Sequence, residues 1–219
     1  KGISWSARYV FSKSIDDSST FGGAGNTVAQ DFTDLSAERG LSSFDRRHTF
    51  NANWVFTSRI GQNDDTLVGK LLREWTLSGS MTAHTGPPLT ARVLGNLSDT
   101  AGTGTIGSGR ASATGLDLSS SSGFFNLAAF APPIAGQFGN AGRNTIPGPS
   151  QFFVNLGFGR AFKLDESSRR RLEFRLEANN VFNQVSYTSF NTVVNATNYG
   201  LPVSASSMRN LSALVRLRF

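Results

Sequence analysis

Apolar and polar residues alternate with a period of two over six stretches of the chain. In the first, Ile3, Trp5, Ala7, Tyr9 and Phe11 alternate with Ser4, Ser6, Arg8 and Val10. In the second, Phe50, Ala52, Trp54 and Phe56 alternate with Thr49, Asn51, Asn53 and Val55. Trp75, Leu77, Gly79, Met81 and Ala83 repeat the pattern against Thr76, Ser78, Ser80, Thr82 and His84. Phe152, Val154, Leu156 and Phe158 form a fourth face, and Leu172, Phe174, Leu176 and Ala178 a fifth, opposite Arg171, Glu173, Arg175 and Glu177. The sixth sets Leu211, Ala213, Val215, Leu217 and Phe219 against Ser212, Leu214, Arg216 and Arg218. A helix would spread such residues round its axis, whereas a strand gathers them on one side. The spacing therefore predicts six strands of about 9–14 residues, at or above the upper end of soluble strand lengths.

That length suits a tilted strand crossing a bilayer. The connections alternate in length: long over 13–44, shorter over 59–71, very long over 88–149, short over 163–169, long again over 185–206. The third strand shows an extension through Leu89, Ala91 and Val93. Long loops at one end and short turns at the other are the asymmetry of an outer-membrane barrel, with the turns on the periplasmic side. If the last strand ends there, Trp5, Trp54, Phe56, Trp75, Phe158, Phe174 and Phe219 fall near the periplasmic end. Tyr9, Phe11, Phe50, Phe152 and Phe182 fall near the outer end. Two lipid-facing aromatic belts result, as expected where rings meet membrane interfaces. The competing reading places these rings in a sandwich core, against which stands the Ser, Thr, Asn, Arg and Glu content of the opposite face.

Composition narrows the class. The 219 residues include 23 Gly, 18 Phe and no Cys, with charged residues at 16% and a net charge of +6. A chain without cysteine has no disulfide frame, thiol nucleophile or Cys metal site. No apolar run approaches the roughly 18 residues of a membrane helix. Lysine occurs only at Lys1, Lys13, Lys70 and Lys163, and the aromatic load does not suit a disordered chain. The chain starts at Lys1 inside a strand pattern, so it reads as part of a longer polypeptide.

The last nine residues, LSALVRLRF, end on Phe219, with Ala213, Val215 and Leu217 at every second position before it. They resemble the assembly signal of outer-membrane barrels. Tyr9–Ser18 (YVFSKSIDDS), Glu38–Phe50 (ERGLSSFDRRHTF) and Leu172–Asn183 (LEFRLEANNVFN) are similar to the C-terminal barrel of TonB-dependent receptors. They look most like Oar-like receptors with a carboxypeptidase-regulatory-like N-terminal domain. Phe130–Pro133 (FAPP) and Gly139–Asn144 (GNAGRN) share that likeness. The resemblance implies an all-β, antiparallel, up-and-down transmembrane barrel segment, about six C-terminal strands of a barrel of about 22. It further implies a plug and TonB-contacting regions outside this chain, and recognition by the barrel assembly machinery. Six strands cannot close, since the smallest bacterial barrels have about eight. The missing strands are therefore expected elsewhere, because an open edge in lipid leaves backbone groups unsatisfied.

Candidate chemistry is sparse. Glu173 and Glu177 share a strand face with Arg175 between them, where successive same-face positions are about 7 Å apart, so acid–base use is geometrically possible. The plainer reading is a ladder of lumen-lining charges comprising Arg8, Glu173, Arg175, Glu177, Arg216 and Arg218. His48 and His84 read as rim residues rather than a metal pair. Asp16, Asp17, Asp31 and Asp34 could supply oxygens to calcium, but EF-hand spacing is missing. Ion pairs that order the loop, Asp45 with Arg46 and Glu38 with Arg39, are the stronger expectation. Gly102–Gly109 lacks the context of a phosphate cradle. The arginines do not cluster with exposed aromatics, which argues against nucleic acid. No catalytic residue, resident metal or cofactor is expected. The expected partners are outer-membrane lipid and lipopolysaccharide, the assembly machinery, the TonB complex through other regions, and a ligand at the outer loops. Energy-coupled uptake is the expected function. The alternatives are a barrel that anchors a surface assembly and a soluble lectin-like β-protein.

Overall fold

The computed structural model describes residues 2–17, 29–31, 33–61, 63, 66–94, 109–119, 123–164 and 170–219. The Gly-rich stretch at 102–108 and most of the 163–169 turn lie outside them. Among the described residues the strands run β1 (Ile3–Phe11), β2 (Ile15–Asp16), β3 (Gly40–Leu41), β4 (His48–Thr57), β5 (Thr76–Leu89), β6 (Ser112–Ala113), β7 (Phe130–Ala131), β8 (Ile146–Lys163), β9 (Arg171–Asn179), β10 (Tyr187–Phe190), β11 (Pro202–Ala205) and β12 (Asn210–Arg218). Among the described residues one α-helix, α1 (Leu67–Leu72), lies between β4 and β5, and short 3-10 turns occur at Leu35–Glu38 and Leu127–Ala129.

The six long strands form one antiparallel sheet in the order β1-β4-β5-β8-β9-β12. Each long strand pairs with the next long strand in sequence, so the sheet is an open up-and-down meander with β1 and β12 at its edges. The short strands form three ribbons, β2-β3, β6-β7 and β10-β11. All three lie in the segments 12–47, 90–145 and 180–209, which connect strands at one end of the sheet. The other end carries only 58–75 and 164–170. No helix among the described residues is long and apolar enough to cross a membrane.

Cross-strand register shows why alternation governs this fold. Direct partners in an antiparallel pair share a face. Trp5 pairs with Trp54, Trp54 with Gly79, Gly79 with Leu156, Leu156 with Ala178, and Ala178 with Leu211. A single unbroken row thus crosses all six strands. It does not stay level. Trp5 stands two residues from the turn-end start of β1 at Ile3, whereas Leu211 stands seven from the turn-end finish of β12 at Arg218. The row climbs five residues in five strand-to-strand steps, about one per strand, as in barrels whose strands tilt by about 35–45°.

Three features depart from the sequence reading. The 59–71 segment is not all loop but contains α1. β8 starts at Ile146, inside the segment expected to be loop to 149, and β5 reaches Leu89, the first residue of the expected extension, so both project past their neighbours at the loop end. The pairing there slips twice, between His84 and Gly86 and between Gly86 and Leu89. Pro87 and Pro149 lack ladder donors, and a Cβ on Gly148 would lie 1.8 Å from the Pro87 carbonyl oxygen. Finally, Ala91 and Val93 do not prolong the strand. They are fully buried, and Ala91 packs in a core with Ala111, Phe125, Ala129, Phe130, Ala141 and Ile146. That core belongs to the loop end; the sheet itself is one layer thick.

Candidate functional site

The two faces of the sheet differ in kind. On one face Tyr9, Phe50, Ala83 and Phe152 share a row, as do Ile3, Phe56, Leu77, Phe158, Leu176 and Ala213. Trp5, Phe11, Trp54, Phe174, Val215 and Leu217 fall on the same side by register. The rings gather toward the two ends. At the turn end, Trp75 stacks on Phe158 at 4.6 Å and meets Phe162 and Phe174 edge-on. At the loop end, the Tyr9 hydroxyl lies 2.8 Å from His48 Nδ1, and Phe152 stacks with Phe182. Small residues, Ala7 and Ala52 among them, lie between. Phe219, just past β12, is almost wholly exposed.

The opposite face is polar. Arg8 pairs in register with Asn51, which pairs with Thr82. Glu173 lies 3.4 Å from Arg218 and 3.8 Å from Arg216, while Arg175 reaches Glu177 at 2.9 Å. The two glutamates therefore carry arginine partners, which suits a charge ladder rather than an acid–base pair. These pairs are half exposed and contribute little to stability. Gly157 and Gly159 form the floor of a recess on this face, with Lys163, Arg171, Glu173, Arg175 and Arg216 around it. Side chains are excluded from the floor because a Cβ on Gly159 would lie 2.7 Å from the Phe174 carbonyl oxygen.

At the loop end the three long segments are tied into one cap. Arg92 N–H donates to Thr192 O, and Val194 N–H to Arg92 O, each at 2.9 Å. The Asn195 side chain brackets the Leu94 backbone. Gln30 donates to Gly139 O at 2.8 Å and accepts from Arg110 N–H at 3.1 Å. Arg143 donates to Glu38 O at 2.6 Å and to Asp16, and Asn144 donates to Leu41 O at 2.6 Å. Arg110 and Glu38, both about 6% exposed, form an ion pair at 3.3 Å.

These contacts correct the local pairing expected from sequence. Glu38 reaches Arg110, not Arg39, and Asp45 reaches Arg47 at 4.0 Å, not Arg46. Asp45 also accepts from Ser14 N–H. The calcium candidates are not gathered either. Asp31 accepts from Thr33, Asp34 accepts from Ser36 as the cap of the Leu35–Glu38 turn, and Asp16 holds Arg143. No group of three metal-ligating side chains occurs among the described residues. His84 pairs in register with Thr49, the residue after His48, so the two histidines point to opposite faces.

Electrostatics follow these contacts. Burial works against the Asp16 carboxylate, but hydrogen bonds from Ser42 and Arg143, with the Arg143 charge, outweigh it and hold its pKa below 3.8. Hydrogen bonds from Thr33 lower Asp31 likewise. Burial alone pushes the Tyr199 phenol up to about 12.

Sequence reasoning missed Gln30, Arg110 and Arg143, whose partners are distant in the chain. It also missed Arg160. By register with Phe174, Arg160 sits on the apolar face. Its guanidinium lies over the Phe162 ring at 4.4 Å and donates to Leu71 O and Lys70 O, each at 2.5 Å. Continuing the Phe152–Phe158 alternation to Phe162 would have exposed it as the odd residue.

A family model described as an outer membrane beta barrel domain matches residues 1–212. No curated protein and no solved structure matches the chain. The match spans every strand of the meander except the last part of β12, and the open antiparallel sheet agrees with it. The chain accordingly belongs to the outer membrane beta barrel domain family and resides in the bacterial outer membrane.

Proposed function

We propose that this chain is a wall segment of a TonB-dependent receptor that takes up a scarce or large ligand across the outer membrane. One observation supports this reading most: a single row-by-row apolar face backs onto a charged, laddered face, with a tied loop cap at one end only. In this reading the apolar face with its aromatic belts meets lipid. The polar face, with Arg8, Glu173, Arg175, Glu177, Arg216 and Arg218, lines the lumen and meets the plug. The cap lies outside the cell, and the 58–75 and 164–170 turns lie in the periplasm. Other strands close on β1 and β12, whose outer edges would otherwise leave backbone groups unpaired in hydrocarbon. Ala213, Val215, Leu217 and Phe219 serve the assembly machinery. The chain positions and conducts; it makes and breaks no bonds.

A second reading, a barrel that anchors a surface assembly, is favoured by the cap, which has its own core and carries a partly exposed Phe124 stacked on Phe190 at 4.0 Å. Growth of a strain lacking the full gene separates the two. Impaired growth on one scarce nutrient, reproduced by loss of TonB, supports uptake. Normal growth on every nutrient, with loss of a co-purifying surface protein, would support the anchor and end the transport reading.

A further inference from the structure

Helix α1 carries four large aliphatic residues on one arc. At about 100° per residue, Leu67, Val68, Leu71 and Leu72 span roughly 140° of its circumference. Their exposures are 81%, 63%, 60% and 47%. Gly69, on another side, is buried against Gly61, where a Cβ on Gly61 would lie 2.4 Å from the Gly69 carbonyl oxygen. Lys70 projects from the remaining side.

Both ends of the helix have hydrogen-bond partners. Thr66 caps the start by accepting from Gly69 N–H at 3.1 Å. The last carbonyls of a helix have no partner within it. Here Arg160 takes Lys70 O and Leu71 O, and the Trp75 indole N–H donates to Leu71 O at 2.8 Å. Arg160 and Trp75 both belong to the apolar face, in the ring cluster with Phe158, Phe162 and Phe174. A guanidinium on a lipid-side face is costly except near an interface, where depth is shallow and partners are at hand. Two helix carbonyls and two aromatic rings are those partners. The helix is thus fastened by its last carbonyls to residues of the apolar face, and its aliphatic arc is left exposed.

We propose that α1 is an interfacial membrane anchor. Leu67, Val68, Leu71 and Leu72 enter the headgroup–acyl boundary of the phospholipid leaflet at the turn end, and Arg160 and Trp75 are the positioning residues. Helices with one apolar side lie in this boundary, and Lys70 has the reach to snorkel back to water. The inference rests on reading the apolar face as the lipid side, so its test carries a separate control for that.

The absence of cysteine in this chain makes single labels clean. Leu67→Cys, Leu71→Cys, Lys70→Cys and, as the face control, Leu176→Cys would each be placed in the full-length protein, with any cysteine elsewhere replaced by Ser. Each would carry bimane after reconstitution in vesicles of phosphatidylethanolamine and phosphatidylglycerol. The expected result is quenching at 67 and 71 by lipids brominated high in the acyl chain, with iodide quenching several-fold weaker than at 70. Full iodide quenching at 67 and 71 without lipid quenching, while Leu176→Cys still reports lipid, would overturn the anchor alone. Shielding from both quenchers would overturn it in favour of a protein neighbour. Loss of lipid contact at Leu176→Cys would overturn the anchor and the lipid-side reading together. In folded Arg160→Met, the label at 71 should move toward iodide; an unchanged depth would overturn the positioning role of Arg160.

Discussion

The Trp54 ring lies over Gly79 so closely that a Cβ there would stand 2.2 Å from Trp54 Cζ2. The ring needs a residue without a side chain beside it on the neighbouring strand. Gly79→Val must therefore tip the indole out of the apolar face. Overpacking of this kind costs about 1–3 kcal/mol. Urea unfolding of the barrel in lipid should show that loss, with a shifted Trp emission maximum; an unchanged midpoint would mean that the ring moves freely.

The Arg110–Glu38 pair should show the asymmetry of buried charges. Removing one partner strands the other, at about 3–5 kcal/mol, whereas replacing both with apolar residues is often close to neutral. Arg110→Met should accordingly speed hydrogen exchange at 29–41 and 109–114, and Arg110→Met with Glu38→Met should restore much of the protection. Equal loosening in the single and double variants would show that the cap is held by other contacts.

The cap should also respond to acid. The native pKa of Asp16 is depressed, so the stability it contributes is present above its ordinary value near 3.8 and is lost as pH falls through the lower native value. Limited proteolysis of the reconstituted protein should show cutting near Arg143 increase only below about pH 4. Asp16→Asn should cut readily at neutral pH and lose that dependence. An acid response of the same size in the Asn variant would place the titration elsewhere.

Phe219 is exposed just past the end of β12, with little of the sheet covering it. Phe219→Ser should leave the refolded protein as stable as before in vitro, while lowering the amount inserted in cells. A parallel loss in vitro would make Phe219 a packing residue rather than part of an assembly signal.

The sheet was largely legible because a barrel wall is one layer thick. Residues such as Trp5 and Trp54 declare their side by parity alone, and no packing against a second layer overrides it. The polar side was legible for the same reason at Glu173 and Arg216. The cap was not. Its ties join residues far apart in sequence, as Arg143 to Asp16 and Gln30 to Gly139, and local pattern carries no record of such partners. Adjacent opposite charges, as at Glu38 and Arg39, suggested the wrong pairs. Helix α1 escaped because six residues are too few to display a period, and Arg160 because its partners are backbone carbonyls rather than acids.

The climbing row from Trp5 to Leu211 makes the wall a ramp rather than a stack of level hoops. A continuous course of paired peptide units starts near the lower rim on β1 and arrives near the upper rim on β12. A strand docking on the free edge of β1 meets this course at a different height from one docking on β12. The two edges of the sheet are therefore offset in height along the wall.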